Sequence, residues 1–315
     1  MVKKGYTAAL EFPGKLLQCN DAVVDGKIRP YHIQFSPTNR CNGNCPWCSC
    51  RDVDRSLEMP IAECLNMLEY FKKLGTKAIT ITGGGEPTIH PGIYNIILHA
   101  KACGIDVGIV TNGLKWGADS EHVPVEVQAA ITWMRVSIID TEGEYDTERI
   151  ARIAAKFTTV DIGISFTTTP NVNVKTAIEL SKIANRFKNI THIRFVQDVL
   201  NTDDSGVTAV KEACESLTDK SIFQYRNKHG WGASKCWLSR LKPFIAPNGI
   251  VYPCCGVQYA TDITRKLPFQ FRMGHWRDFA SLHVFDGSRC KRCHYQKYND
   301  ILNVLTDQYE HGRFI

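Results

Sequence analysis

Thirteen cysteines are spread along this 315-residue chain, and four of them, Cys41, Cys45, Cys48 and Cys50, crowd into the stretch SPTNRCNGNCPWCSC. Thiols this close together can hold zinc, close a disulfide, act as a redox pair or carry an iron–sulfur cluster. Structural zinc takes four closed ligands, commonly two C-x2-C pairs. Here Cys41, Cys45 and Cys48 make C-x3-C-x2-C in one loop, with Cys50 two residues beyond. Four thiolates saturate a [4Fe–4S] cluster. Three leave one iron open to bind and activate another molecule.

A second set lies downstream. Cys236, Cys254, Cys290 and Cys293 are spaced C-x17-C, a gap, then C-x2-C, and Cys255 sits beside Cys254. Four thiolates in this pattern suit zinc or iron–sulfur. Between the two sets comes TITGGGEPT, in which Gly83, Gly84 and Gly85 precede Glu86. A glycine run marks a turn, or a place where the backbone comes close to a ligand. None of the ten histidines has an evident partner in the sequence. Cys19, Cys64, Cys103 and Cys214 fall on helical or terminal segments, where a free cysteine behaves as a small apolar side chain.

The rest of the chain limits these choices. With 43% hydrophobic and 22% charged residues, the composition is that of a soluble globular protein with ample core. Glu11 and Pro13 interrupt the apolar N-terminal run, so no signal-peptide core is present. No stretch is long and apolar enough to span a bilayer. The expectation is a cytoplasmic protein without membrane association. Disulfides are rare in that compartment, and clustered cysteines read as metal ligands or catalytic groups. A net charge of +6 permits an anionic partner, but no basic run interleaves with aromatics, so nucleic acid is not indicated.

From about residue 31, strand-like and helix-like segments alternate. YHIQFS leads to the helical PIAECLNMLEYFKKLG, whose expected apolar face is Ile61, Cys64, Leu65, Leu68 and Phe71. KAITIT, DVGIVT, WMRVSIID, DIGISFT and THIRFVQDV continue the strand series, with helical runs between most of them. Six β/α units predict an α/β fold with a parallel sheet and leave a flat sheet and an open barrel both standing. The cysteine loop, the glycine run, Asn112 and Asp140 all follow strands, which is the edge where such folds build sites. Near residue 223 the pattern changes to a β-hairpin with Pro247-Asn248-Gly249 at its turn, then CKRC and a closing helix. The expected organisation is an N-terminal extension (1–30), a β/α domain (31–222), a small hairpin and helix domain (223–295) and a C-terminal helix (296–315).

CNGNCPWC resembles the cluster loop of the radical SAM superfamily, with Trp47 in that family's aromatic slot, and GGEP after the second strand resembles its second motif. The resemblance implies a partial (β/α)6 barrel. It implies that Cys41, Cys45 and Cys48 hold a [4Fe–4S] cluster whose open iron chelates S-adenosylmethionine. An external one-electron reductant such as flavodoxin or ferredoxin would then drive cleavage to methionine and a 5′-deoxyadenosyl radical, which takes hydrogen from strong C–H bonds. It further implies that Gly84 and Gly85 approach the methionine end of the cofactor and that Glu86 receives its ammonium. Asn112 in TNG, Ser137 in SIID and Arg194 become cofactor contacts. Cys50 lies outside the triplet.

The downstream set, with GIVYPC, resembles the twitch domain, a shortened SPASM domain holding one auxiliary [4Fe–4S] cluster. The full pattern would need a cysteine where Asn299 stands. If Cys254 is a ligand, the next residue on a strand points elsewhere, and Cys255 becomes a candidate hydrogen-atom donor. The substrate would then be a peptide, sugar or aminoglycoside, either epimerised with Cys255 as donor or dehydrogenated with the auxiliary cluster as electron acceptor and Cys255 merely structural. About forty residues precede the first cluster, too few for the leader-binding domain of many peptide-modifying relatives. The reading from another class is a zinc- or iron–sulfur-stapled binding protein without turnover.

Overall fold

The computed structural model describes residues 16, 19–24, 26–46, 48–138, 146–226, 230–259 and 265–306. A short ladder of β1 (Val23–Val24) and β2 (Lys27–Ile28) precedes the main sheet. Then come β3 (His32–Phe35), α1 (Ile61–Lys73), β4 (Ala78–Ile81), α2 (Ile93–Ala102), β5 (Asp106–Thr111), α3 (Val125–Ala130) and β6 (Ile131–Ile138). The alternation continues with α4 (Glu148–Lys156), β7 (Asp161–Thr168), α5 (Val174–Arg186), β8 (Ile190–Gln197), α6 (Ser205–Cys214) and β9 (Ser221–Gln224). Strands β3 to β9 pair in sequence order, each parallel to the next. The expected α/β fold with a parallel sheet is what forms, and among the described residues β9 pairs with β8 alone.

The two faces of the sheet differ in chemistry. Val136, Ile138, Ile162, Ile164, Phe166, Ile193 and Phe195 face the helices and are essentially inaccessible to solvent. Leu180, Ile183 and Ala184 of α5 pack into the same core. Alternate positions face away from the helices: Arg135 and Ser137 on β6, Ser165 on β7, His192 and Arg194 on β8. Near the amino-terminal ends of the strands, two aromatic rings fill this polar face. A Cβ at Gly108 would collide with the Trp133 indole, and one at Gly163 with the His192 ring. The lower end is therefore closed by side chains, and the carboxyl-terminal ends remain for a site.

Three expectations change in detail. A seventh strand, β9, follows α6, and it spans the junction expected at residues 222–223. Beyond it, α7 (Leu238–Leu241), β10 (Phe244–Ile245), β11 (Ile250–Tyr252), β12 (Gly274–His275) and α8 (Gln296–Thr306) form the last part of the described chain. The hairpin is present, but β10 lies parallel to β3, so it extends the barrel sheet to ten strands rather than forming a sheet of its own. On α1 the buried residues are Cys64, Met67, Leu68 and Phe71, while Ile61 at the first turn is exposed.

The glycine at position 108 is a strict packing requirement. Gly108→Ala is expected to cost about 1–3 kcal/mol of stability through overpacking, seen as a lower urea midpoint with an unchanged slope. In a Trp133→Ala background the same change should be nearly free. An equal cost in both backgrounds would mean that the indole is not the obstacle.

Candidate functional site

The cysteine loop leaves the end of β3. Its base is closed by a bridge between Thr38 and Glu58 and by hydrogen bonds from Asn39 N to Leu57 O and from Met59 N to Pro37 O. The loop thus returns to its origin and holds Cys41, Cys45 and Cys48 at the sheet edge. Backbone N–H groups already turn toward sulfur: Gly43 N donates to Cys41 Sγ and Cys50 N to Cys48 Sγ, both at 3.4 Å. Arg55 organises the loop from inside. Its guanidinium donates to the carbonyls of Asn39 and Gly84, each at 3.0 Å, and of Cys50 at 3.2 Å. Arg55 has no motif to announce it, since RDVDRS reads only as a polar loop.

The glycine run fits against this loop. Gly84 N donates to Ser36 Oγ at 3.1 Å, and Glu86 N to Arg40 O at 2.8 Å. A Cβ at Gly83 would press on Ser36 Oγ, one at Gly84 on the Asn39 side chain, and one at Gly85 on the Arg40 carbonyl. The glycines are needed for chain-on-chain packing, whatever ligand they also admit. Glu86 is 2% exposed. Its Oε1 accepts from Thr88 N (3.0 Å), Thr88 Oγ1 (2.6 Å) and Thr111 Oγ1 (2.6 Å), and its Oε2 from Asn112 N (2.6 Å). Burial pulls this carboxyl upward in pKa, and the four donors oppose it. Oε2 retains acceptor capacity. Asn112 completes the connection: its Nδ2 donates to Asn42 Oδ1 at 2.8 Å and approaches Cys41 Sγ at 4.0 Å. Gly113 turns the chain away at φ +70°, a conformation that favours glycine. The ends of β3, β4 and β5 are therefore one connected unit.

Ser137, Ser165 and Arg194 are direct register partners on β6, β7 and β8, so they share one face. Arg194 is buried, and its Nε donates to Gln224 Oε1 at 2.9 Å, with Nη2 on the same oxygen. Ser165 was not singled out from the sequence, although the alternation in DIGISFT puts it on the polar face. Trp47 and Asp140 lie outside the described residues.

Cys236, Cys254, Cys290 and Cys293, from three separate segments, line one hollow, walled by Leu238 and Phe285 among others. Asn299, at the position of the missing cysteine, lines the same hollow. It is fully buried, accepts from Leu238 N at 3.0 Å and turns its amide to Cys236 Sγ at 3.8 Å. Cys255 does not line the hollow; its Sγ lies 3.7 Å from Tyr295 Oη. Cys50 stands apart from its neighbours, with Sγ 3.4 Å from Gln258 Oε1 and 3.8 Å from Gly83 O. Gln258 also donates to Ser49 Oγ at 3.0 Å, so it joins the hairpin region to the cysteine loop. Histidines do find partners: His90 Nε2 meets Met59 O at 2.8 Å, His32 Nε2 meets Thr80 Oγ1 at 2.8 Å, and His99 meets Glu69.

Each donor set consists of thiols, the ligand type that zinc and iron–sulfur clusters both take. Tetrahedral zinc with Zn–S of about 2.3 Å places its sulfurs about 3.8 Å apart. Among the described residues, no three sulfurs of either set lie within 4.8 Å of one another. In a cluster each thiolate binds a different iron and the sulfurs stand wider. The thiols still sense one another. Burial first, then Cys48 and Cys41, pushes Cys45 up to about 11. Burial, then Cys236 and Cys293, pushes Cys290 up to about 12. Burial pushes Cys236 to about 11 and raises Cys41, Cys254 and Cys293 as well.

Those shifts set a pH dependence. Cys41, Cys45, Cys236, Cys254, Cys290 and Cys293 stay protonated where a free cysteine has begun to ionise, and metal must displace their protons. Iron uptake by the cluster-free chain should therefore rise from about pH 7 to about pH 9, followed as bound iron after desalting. A flat profile would show that the thiols are already ionised.

Residues 35–138 match the Radical SAM superfamily. Over 101 residues the chain is 31% identical to the GTP 3′,8-cyclase of Pseudomonas fluorescens (strain Pf0-1), a match covering 30% of each chain. The chain thus spans less than a third of that relative. Streptococcus suis SuiB, solved with S-adenosylmethionine, superposes with a TM-score of 0.57 at 15% identity, covering 95% of this chain and 70% of SuiB. AnSMEcpe, solved with AdoMet and the Kp18Cys peptide, gives 0.54 at 12% identity, covering 90% and 86%. At such identities the likeness is one of fold. The cysteine loop, the glycine run and the TNG turn all lie within residues 35–138, the stretch that matches the Radical SAM superfamily, a match that implies a [4Fe–4S] cluster and S-adenosylmethionine.

Proposed function

We propose that Cys41, Cys45 and Cys48 hold the S-adenosylmethionine-binding [4Fe–4S] cluster, and that Cys236, Cys254, Cys290 and Cys293 hold an auxiliary [4Fe–4S] cluster in a twitch lobe expected over 223–295. The barrel, expected over 31–222, would run on to the end of β9 at Gln224, between an extension at 1–30 and the lobe, with a helix at 296–315 after it. The observation that carries the reading is the convergence of four distant cysteines on one hollow, attached to the sheet that also presents the cysteine loop. When bound and reduced, the first cluster supplies the electron that splits S-adenosylmethionine into methionine and a 5′-deoxyadenosyl radical able to take hydrogen from an unactivated carbon.

The chain's own part is positioning. Gly84 and Gly85 bring the backbone against the cysteine loop, Glu86 Oε2 is the acceptor for an ammonium, and Asn112 holds Cys41. Ser137, Ser165 and Arg194 offer hydroxyls and a guanidinium to a carboxylate or ribose on the polar face, and Trp47 belongs to the same contact set. The substrate is of peptide, sugar or aminoglycoside type. A peptide is the first class to test, because anSMEcpe binds one. Electrons come from an external donor such as flavodoxin or ferredoxin.

Cys255 supports epimerisation. Its thiol lies outside the hollow, beside Tyr295 Oη. The S–H bond would break as a C–H bond forms on the substrate radical, leaving a thiyl radical that one electron from the external reductant and one proton from solvent would return to the thiol. The second reading is dehydrogenation, favoured by the four thiols of the hollow, which saturate a cluster and fit it for electron transfer.

Anaerobic reconstitution separates these readings. About eight irons per chain are expected, with 5′-deoxyadenosine released when reductant is added. Cys48→Ser should lose about half the iron, whereas Cys50→Ser should keep it all. Zinc in place of iron, with no cofactor cleavage, would sink the enzyme reading in favour of a stapled binding protein. With substrate in deuterated water, epimerisation places deuterium in the product and fails in Cys255→Ala. Dehydrogenation gives a product short of two hydrogens, and Cys255→Ala turns over normally.

A further inference from the structure

A third group of metal-type side chains lies on the helices, away from both cysteine sets. His99 in α2 and Cys103 at its carboxyl-terminal cap are four residues apart and so share a face. Glu69 of α1 meets them across the helix contact. His99 Nε2 lies 3.0 Å from Glu69 Oε1, Cys103 Sγ lies 3.4 Å from the same oxygen, and all three donor atoms fall within 4.8 Å of one another. Among the described residues, no other such group of three occurs. His99 Nε2 is shielded from bulk solvent and turned to Glu69 Oε1, the oxygen that Cys103 also approaches. Cys103 is 8% exposed, and Glu69 and His99 keep a path open to the solvent.

We propose that Glu69, His99 and Cys103 form a zinc site that clips α1 to α2. The donors are one carboxylate, one neutral imidazole and one thiolate, which together balance a divalent cation and match the mixed O, N and S ligation of zinc. Three side chains leave the fourth tetrahedral position to water. The ion would take the place of the proton shared between His99 Nε2 and Glu69 Oε1, with the imidazole proton moved to Nδ1, and it would replace the proton of the Cys103 thiol. The Lys72 ammonium, one turn on from Glu69, reaches Glu69 and Cys103 and favours their anionic forms. Helix α2 starts just after the glycine run and ends at this site, so the ion sits at the edge opposite the cysteine loop. Its role is to brace the helices over β4, independent of how the cysteine loops are read.

The test uses full-length protein whose iron–sulfur sites have first been filled with iron, so that their thiols do not compete. One equivalent of zinc is added and the protein is desalted. About one zinc per chain should remain, with zinc-edge X-ray absorption showing a single sulfur at about 2.3 Å and nitrogen or oxygen at about 2.0–2.2 Å. Zinc should raise the unfolding temperature of the wild type. In His99→Gln and Cys103→Ser the affinity should fall by about 10-fold or more, the thermal shift should vanish, and the iron content should not change. His99→Gln, at a partly exposed position, remains informative if Cys103→Ser fails to fold. Zinc held equally by the variants, a spectrum with several sulfurs, or no zinc retained by the folded wild type would each overturn the site.

Discussion

The close approach of the glycine run to the cysteine loop is the constraint from which the rest follows. Gly85 has no room for a side chain because the Arg40 carbonyl occupies that space. The neighbouring Glu86 N–H donates to that same carbonyl. The Glu86 carboxylate is thereby carried under the end of β5, where it takes donors from Thr111 and Asn112. A buried carboxylate is costly unless its oxygens are satisfied, so this latch holds three strand ends in one arrangement. Arg55 adds a charge-assisted grip on three carbonyls from the same loops. The thiols are thus presented by a preformed rim, and little ordering is left for the moment a cofactor arrives.

The second lobe is tied to that rim from two directions. Strand β10 extends the barrel sheet beside β3, the strand that feeds the cysteine loop. Gln258 meets Ser49 and Cys50 within that loop. A change at the hollow of Cys236 and Cys254 therefore reaches the cysteine loop through a continuous backbone and one polar clasp. Cys50, the outsider of the first cluster of thiols, is the loop's contribution to that clasp. Asn299 has a comparable part in the lobe, where its amide faces Cys236 at the position a fifth pattern cysteine would have occupied.

Much of this was legible in the sequence, because regular elements and cluster loops leave local signals. Runs such as ITWMRVSI and DIGISFT alternate with periodicity and bulk that only strands use, and their polar positions fell on one face as alternation requires. Cys255 lies off the hollow, but not by the strand alternation expected of the doublet, since β11 ends at Tyr252 and both cysteines follow it. What stayed hidden depends on contacts between distant segments. Nothing in SIFQ marks the short β9 as a seventh strand, and nothing in RDVDRS marks Arg55. Glu86 reads as a ligand group, yet most of its hydrogen bonding goes to Thr88, Thr111 and Asn112. The partners of His90 and His99 come from elements some thirty residues earlier.

The central claim is that the rim built from Cys41, Cys45 and Cys48 leaves one iron for S-adenosylmethionine. Pulsed electron–nuclear double resonance on the reduced, reconstituted protein tests it most directly, with S-adenosylmethionine labelled with 15N at its amino group. The account predicts a 15N coupling of a size that only direct bonding to iron produces, and its loss when Cys48 is replaced. A cluster spectrum indifferent to the labelled cofactor, in protein shown to bind it, would contradict the account.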